Sequence, residues 1–335
     1  VTPHLDVHVT EPSQVGAARR AALRLCLNHG FDEATCGRVA LLVTELGTNL
    51  ARHATRGRLL ICCRPTDEGA QLEILSIDSG PGMADVARCL RDGYSSGNTP
   101  GTGFGAVQRL STDFSVYSVA GKGTVILSRV WVPSSRAKAG LPPSRFAHAG
   151  ICLAAPGEVV SGDAWEISVV GDKARIAVAD GLGHGPDAAA AAEMAMAAFR
   201  ESTGSPAAML EQAHPRMRAT RGAAVAMADL DATAGTLRFA GAGNIAGRMI
   251  SGVEDRSLMS QHGTVGVQIR KIQDVDYAWS PHALIVLHSD GLTSRWSLGE
   301  APGLIQCDPA VVAGWLVREH TRGRDDVTVV VVSRA

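Results

Sequence analysis

The sequence predicts an α+β protein of two domains, and three features carry that expectation. Its 335 residues suffice for two cores of ordinary size. The stretch from Pro133 to Arg145, rich in proline, serine and small residues, loses all hydrophobic periodicity and reads as a linker. On both sides of it, short β-like runs are grouped with separate helical blocks, a pattern of sheets covered by helices. The expected division is a first domain over 1–133, a linker over 134–145 and a second domain over 146–335.

Composition narrows the function classes. The formal net charge is −1 and no basic block occurs, so nucleic-acid binding by phosphate neutralisation is not expected. Apolar runs end well short of a membrane span and the start is not signal-like, which points to a cytoplasmic protein with no membrane partner. The seven cysteines include no Cys-x-x-Cys pair and read as reduced, buried thiols rather than metal ligands.

In the first domain, residues 5–10 alternate like a half-exposed strand. Pro12 then opens a helical pattern that Gly30 ends, and Asp32 caps a second helix running to about His53. Val39, Leu42, Val43, Leu46 and Leu50 make one apolar stripe on it, with Glu45 and Asn49 together at its edge, either as a solvated edge or as a polar pair beside a site. Strands over 58–64 and 70–78 follow, the second ending in Asp78-Ser79-Gly80-Pro81-Gly82. Gly101-Thr102-Gly103-Phe104-Gly105 leads into a helix from Ala106 and would present free N–H groups to a phosphate, although it lacks the Lys-Ser/Thr ending of a Walker loop.

Together Glu45 to Asn49, Asp78 to Gly82 and Gly101 to Gly105 resemble the GHKL fold of gyrase, heat-shock chaperone and histidine-kinase ATPase domains. The segment Gln108-Arg109-Leu110, Asp113-Phe114 and Gly121-Lys122-Gly123-Thr124 is similar to the RsbT-like anti-sigma-factor serine kinases, over nearly all of residues 1–133. The resemblance implies one mixed sheet with helices on one face. It implies that Asn49 binds Mg²⁺ at the phosphates of ATP, that Glu45 takes the proton of an incoming serine and that Asp78 binds the adenine amino group. Gly80, Gly82, Gly101, Gly103 and Gly105 would lie along the nucleotide. Phosphoryl transfer needs charge neutralisation and alignment above all, which such groups supply. No phosphoacceptor helix precedes the domain, so the acceptor is expected on another protein.

In the second domain, β runs are expected over 147–155, 164–170, 173–180, 222–229, 235–242, 245–251, 283–289 and 326–333. One helical block covers 186–219, interrupted at Pro215, and another 308–320. Carboxylates stand at strand ends: Asp163 after Ser161-Gly162, Asp180 in Asp180-Gly181-Leu182-Gly183-His184-Gly185, Asp290 in Ser289-Asp290-Gly291, and Asp325-Asp326 before Val327. Hard divalent cations prefer such oxygen donors.

This ordered set resembles the SpoIIE-type metal-dependent protein phosphatases, relatives of the type 2C Ser/Thr phosphatases, and within them the small RsbX-like members, over residues 146–335. The resemblance implies an αββα sandwich with two Mn²⁺ or Mg²⁺ ions at its rim, which acidify an attacking water and clamp the phosphoryl group. Asp180 would bridge the ions, the Gly181 carbonyl would add a ligand, and Asp290 with Asp325 or Asp326 would complete one shell, Asp325 being the better match to the family motif. Asp163 would ligate or orient waters. His184 either protonates the leaving serine oxygen or only packs in its turn. Gly241-Ala242-Gly243-Asn244 departs from the Asn-Ala-Gly-His of larger relatives, which bears on substrate contacts.

The combined expectation is a bifunctional partner-switching regulator, a serine kinase fused to a phosphoserine or phosphothreonine phosphatase. The implied partners are STAS-domain anti-anti-sigma or stressosome proteins, with a sigma factor or another switch protein downstream. An alternative makes the first domain an anti-sigma-like module that binds ATP and a partner without transferring phosphate, joined to an active phosphatase that nucleotide could gate.

Overall fold

The computed structural model describes residues 3–66, 69–90, 103–133 and 144–335. Gly101, residues 91–100 and linker residues 134–143 lie outside the described residues. The chain divides into two compact units, Thr2–Leu141 and Pro142–Ala335.

In the first unit β1 (Leu5–His8), α1 (Pro12–Asn28), α2 (Glu33–His53), β2 (Arg58–Thr66) and β3 (Gly69–Asp78) precede α3 (Val86–Cys89), α4 (Gly103–Leu110), β4 (Asp113–Val119) and β5 (Gly123–Pro133). The strand order is β1-β2-β3-β5-β4. Every one of these pairings is antiparallel, so the mixed sheet implied by the resemblance is corrected: two hairpins, β2–β3 and β4–β5, meet along β3 and β5 in opposite directions. Asp32 caps α2, its Oδ1 accepting from the Thr35 N–H at 2.7 Å. Strand alternation sends Leu59, Ile61, Leu72, Ile74, Ile126 and Val130 to one face, where Val39, Leu42, Val43 and Leu46 of α2 bury against them. Each such burial stabilises by about 1.5–3 kcal/mol.

Leu60, Leu75, Ile77, Val125 and Leu127, on the other face, are also buried. Among them sits a charged cluster. Arg129 Nε donates to Glu73 Oε2 at 2.8 Å, and His4 Nε2 lies 3.7 Å from Glu73 Oε1. Burial opposes charge on His4, but Cys62 and Glu73 outweigh it and raise the imidazole to about 9. Burial likewise opposes ionisation of Glu73, yet Arg129 and His4 hold it well below the usual carboxylate range.

The second unit runs β6 (Phe146–Leu153), β7 (Asp163–Val170), β8 (Lys173–Gly181), α5 (Pro186–Glu201), α6 (Pro206–Arg216), β9 (Ala223–Asp231), β10 (Thr236–Ala242) and β11 (Ala246–Ile250). Then come β12 (Asp255–Leu258), β13 (Gly263–Thr264), β14 (Gln268–Ile269), β15 (Val275–Ala278), β16 (Leu284–His288), α7 (Pro309–His320) and β17 (Val327–Arg334). Two five-stranded sheets, β15-β10-β9-β8-β7 and β12-β11-β16-β17-β6, stack face to face. Trp165, Ile176, Val178, Ala226, Ala228 and Phe239 from one sheet meet Met249, Ile285, Leu287, Val330 and Val332 from the other. Outside, Ala192, Ala195, Met196, Phe199 and Leu210 of α5 and α6 bury against Ala177, Ala179, Val225 and Met227. The small side chains let the helices lie close to the sheet. On the opposite flank α7 packs on β6 and β17, completing the expected αββα order.

Two local expectations are corrected. The helical block breaks at Ser202 rather than Pro215: α5 ends there, Ser205 caps α6, and Pro206 starts it without needing its missing N–H. Pro215 is accommodated in the last turn of α6. The short strands β12 to β15 fall where no run was expected, being too brief to show alternation.

Candidate functional site

Each carboxylate of the second unit is delivered by the end of a strand. Asp163 opens β7 and Asp180 lies near the end of β8, directly opposite in register. Opposed residues on neighbouring strands share a sheet face. Asp290 follows β16, and Asp325-Asp326 precede β17 on the neighbouring strand of the other sheet. The two loops close on each other at Gly291, where a Cβ would lie 1.9 Å from the Asp326 carbonyl oxygen, so only glycine admits this approach.

Asp180, Asp290 and Asp325 line one cavity of about 670 Å³, together with Leu182, Gly183, His184, Asn244, His262, Thr264 and Arg324. Burial raises Asp180 to about 7, and the charges of Asp290, Asp325 and Asp326 push the same way, against a bond from the Asp290 backbone N–H. Asn244 Nδ2 donates to Asp290 Oδ2 at 2.8 Å. His184 Nδ1 lies 2.6 Å from Glu158 Oε1, which holds the ring at the cavity edge.

Two of the predicted residues stand behind this wall. Asp163 is buried, and Ser289 Oγ donates to its Oδ2 at 2.6 Å while itself accepting from the Thr328 N–H at 2.9 Å. Burial, then the Asp180 charge, raise Asp163 well above the usual range. Asp326 is turned inward, its Oδ1 accepting from the Ala155 N–H at 2.8 Å. Gly181 is buried, its N–H donating to the Gly162 carbonyl at 3.0 Å. Glu158, Asn244, Ser289 and Arg324 thus belong to the surroundings of the site. Of these, the family resemblance singles out only Asn244, as a departure from the motif of the larger relatives.

The donor set suits hard divalent cations. It consists of carboxylates whose mutual repulsion is relieved when a cation enters. Among the described residues, the ligand atoms of His4, Cys62 and Glu73 lie within 4.8 Å of one another. The compact trio is already occupied internally, Glu73 being bonded by Arg129.

In the first unit Glu45 and Asn49 are half-buried on α2, one turn apart. Asn49 Nδ2 is buried and meets no hydrogen-bond partner among the described residues, an orphaned polar atom that a ligand would satisfy. Asp78 Oδ1 accepts from the Gly80 N–H at 2.6 Å, folding the loop back at the end of β3. Ser79 N–H donates to the Thr55 carbonyl at 2.9 Å, which seats the loop just beyond the end of α2. Gly82 has φ 65°, and a Cβ there would meet the Val119 carbonyl oxygen at 2.2 Å. Gly103 and Gly105 form the first turn of α4 rather than a loop before it, and α4 packs on α2. All three motifs therefore border the same helix.

One unit is thus a sandwich rimmed with carboxylates and the other a sheet backed by helices. Residues 9–129 match the family described as histidine kinase-like ATPase domain, and residues 171–335 match stage II sporulation protein E (SpoIIE). The serine/threonine-protein kinase RsbT of Bacillus subtilis (strain 168) is 32% identical over 127 residues, 38% of this chain and 95% of that protein. A solved chain described as "The bacterial stressosome: a modular system that has been adapted to control secondary messenger signaling" is 27% identical with a TM-score of 0.52, over 56% of this chain and 98% of that one. The chain belongs, through its first domain, to the family of RsbT-type serine/threonine kinases, and carries a SpoIIE-type domain behind it. By that family it is an enzyme, with an RsbT-type kinase domain followed by a SpoIIE-type domain. No helix among the described residues is long and apolar enough to cross a membrane.

Proposed function

We propose that this chain is a bifunctional partner-switching regulator that phosphorylates and dephosphorylates serine or threonine on STAS-domain proteins of the anti-anti-sigma or stressosome kind. The observation that carries the phosphatase half is the lining of one cavity by Asp180, Asp290 and Asp325 from three separate strand ends. The kinase half is supported by the likeness to RsbT, and the partner class by that likeness and the stressosome neighbour.

In the phosphatase domain Asp180, the Gly181 carbonyl, Asp290 and Asp325 would hold two Mn²⁺ or Mg²⁺ ions. Bound there, the cations supply neutralisation of the phosphoryl oxygens and acidify the attacking water. Asp163 orients this arrangement from behind, fixed by Ser289. Asp326 would shape the loop through Ala155, and the place of Asp325 rather than Asp326 in the cavity lining supports Asp325 as the ligand of the adjacent pair. With Nδ1 taken up by Glu158, the remaining nitrogen of His184 hands a proton to the departing serine oxygen.

In the kinase domain Asn49 would hold the Mg²⁺ of ATP, Asp78 would bind the adenine amino group, and Glu45 would accept the serine proton. Gly80, Gly82, Gly103 and Gly105 would keep side chains away from the nucleotide, and Gly101 is assigned the same part by the resemblance alone. Both activities running on one substrate would only hydrolyse ATP, so they serve different substrates or alternate states of the protein. The test is incubation with labelled ATP, Mn²⁺ and a STAS protein encoded near this chain. Label should move onto serine, and then off once ATP is removed. Rapid simultaneous turnover in both directions would contradict the separation of the two activities, and absence of labelled serine would remove the kinase half.

A further inference from the structure

We infer that the cleft between Thr293–Arg295 and Arg322–Arg324 is an anion-binding subsite, taking a second negatively charged group of the phosphoprotein whose phosphorylated serine enters the carboxylate cavity. The inference rests on the phosphatase reading above and adds a determinant of substrate choice to it.

The cleft has a volume of about 640 Å³ and is lined by Thr293, Ser294, Arg295, Arg322 and Arg324. Its walls are two chain segments tied side by side. Thr293 N–H donates to the His320 carbonyl and Arg322 N–H to the Gly291 carbonyl, each at 2.9 Å, and Leu292 pairs antiparallel with Thr321. The Arg295 wall is anchored by its neighbour Trp296, which is buried beneath the Arg248 guanidinium at 3.9 Å and donates from Nε1 to His288 Nε2 at 3.2 Å. The segments are thus held by backbone bonds and an aromatic anchor, independently of what the arginine heads do.

Of the other arginines of this domain, Arg175, Arg200, Arg216, Arg221, Arg238, Arg248 and Arg318 each pair with a carboxylate, and Arg256 and Arg334 lie over aromatic rings. Arg295, Arg322 and Arg324 have no carboxylate partner among the described residues, and no acidic residue lines the cleft with them. Like charges lining one cleft repel, and an anion bound among them reverses the sign of the interaction. Guanidinium groups also match the geometry of phosphate and carboxylate oxygens with paired N–H donors, and hydroxyls at Thr293 and Ser294 add neutral donors. Arg324 lines the carboxylate cavity as well, so the two sites adjoin. A substrate carrying two anionic groups would span a negative, cation-accepting cavity and a positive cleft at once.

Peptides provide the test, with the full-length protein and Mn²⁺. One set carries a phosphoserine plus a second phosphoserine at stepped spacings, another has a pair of glutamates in its place, and a third has glutamines. Turnover and binding by fluorescence anisotropy are measured in parallel. Wild type should favour the best doubly anionic peptide over the glutamine peptide by about tenfold or more in kcat/KM and in affinity, as one or two charge-assisted bonds allow. Arg295→Glu/Arg322→Glu should reduce that ratio to about one, and Arg295→Gln/Arg322→Gln should lower it part way; both pairs leave the anchoring backbone bonds intact. A preference for the second phosphate alone identifies a phosphate subsite, and equal preference for glutamates identifies an acidic-segment subsite. Equal handling of all peptides by an active wild type overturns the inference while leaving the phosphatase reading intact. Charge-dependent binding without turnover of any peptide sustains the cleft and removes that reading.

Discussion

Asp163 and Asp180 face each other across β7 and β8, and the Ser289 hydroxyl, from the opposite sheet, donates to the buried one of the pair at 2.6 Å. Two carboxylates on adjacent strands are thereby forced to share one face at the edge of a hydrophobic sandwich. Folding accepts this repulsion, since burial and neighbouring charge hold both pKa values above the usual range. Such a concentration of charge is an expected property of a cation site and a poor way to stabilise a core.

Asp180→Asn should therefore separate stability from activity. Relief of repulsion should raise the thermal midpoint of the metal-free protein, while Mn²⁺-dependent phosphoester hydrolysis falls by at least ~100-fold, the upper end of what loss of even an outer-shell partner costs. Differential scanning fluorimetry with and without Mn²⁺, alongside turnover, checks both. A variant less stable without metal than wild type would speak against the repulsion.

The adjacent pair should behave differently. Asp325→Ala should lower Mn²⁺ affinity with little change in apo stability. Asp326→Ala leaves the Ala155 N–H without its acceptor and should cost about 1–3 kcal/mol in denaturant unfolding. Reversal of the two patterns would make Asp326 the ligand.

Glu45→Ala should lower serine phosphorylation by about 10²–10⁴-fold, the usual contribution of a positioned base. Phosphatase turnover should stay within about twofold, because the residue belongs to the other folding unit. If partner capture survives and the native chain forms no phosphoprotein either, the first domain is a nucleotide-binding module.

Much of this was legible in the sequence because the informative residues sit in short, ordered motifs at strand ends. The Asp-Gly and Ser-Asp-Gly turns and the Asp-Asp before Val327 announce both strand and site, and the apolar stripe of α2 marks its buried face. Glu158, which holds His184, and Ser289, which reaches Asp163 over 126 positions, are ordinary residues in sequence and gain their roles only from tertiary proximity. The antiparallel course of the first sheet was hidden for a related reason: strand direction depends on how hairpins dock, which periodicity does not encode. The break at Ser202 was misjudged because proline punctuates strongly, yet Pro215 falls in the final turn of a helix, where one lost bond is tolerated.

The cluster around Glu73 predicts a pH window for the first domain. His4 is raised from 6.5 to about 9 on folding, so its contribution is fully present below 6.5 and is lost as pH rises through about 9. Glu73 is lowered from 4.5, so its contribution is present above 4.5 and is lost as pH falls below that value. Hydrogen exchange in Leu5–His8 and Arg58–Thr66, which pair along β1 and β2, should be slowest between 4.5 and 6.5 after correction for intrinsic rates. His4→Gln should flatten the alkaline arm, and an unchanged profile would show that the ion pair does not hold β1.

Calorimetric titration of the metal-free protein with Mn²⁺, in buffers of differing ionisation enthalpy, tests the gathering of carboxylates most directly. The expected result is binding of two ions in the second domain, with protons released because burial and repulsion keep Asp180 and Asp163 partly protonated beforehand. Asp180→Asn should weaken both ions together. Binding that is unaffected by this substitution, or is absent from a protein that still hydrolyses phosphoserine, would contradict the account.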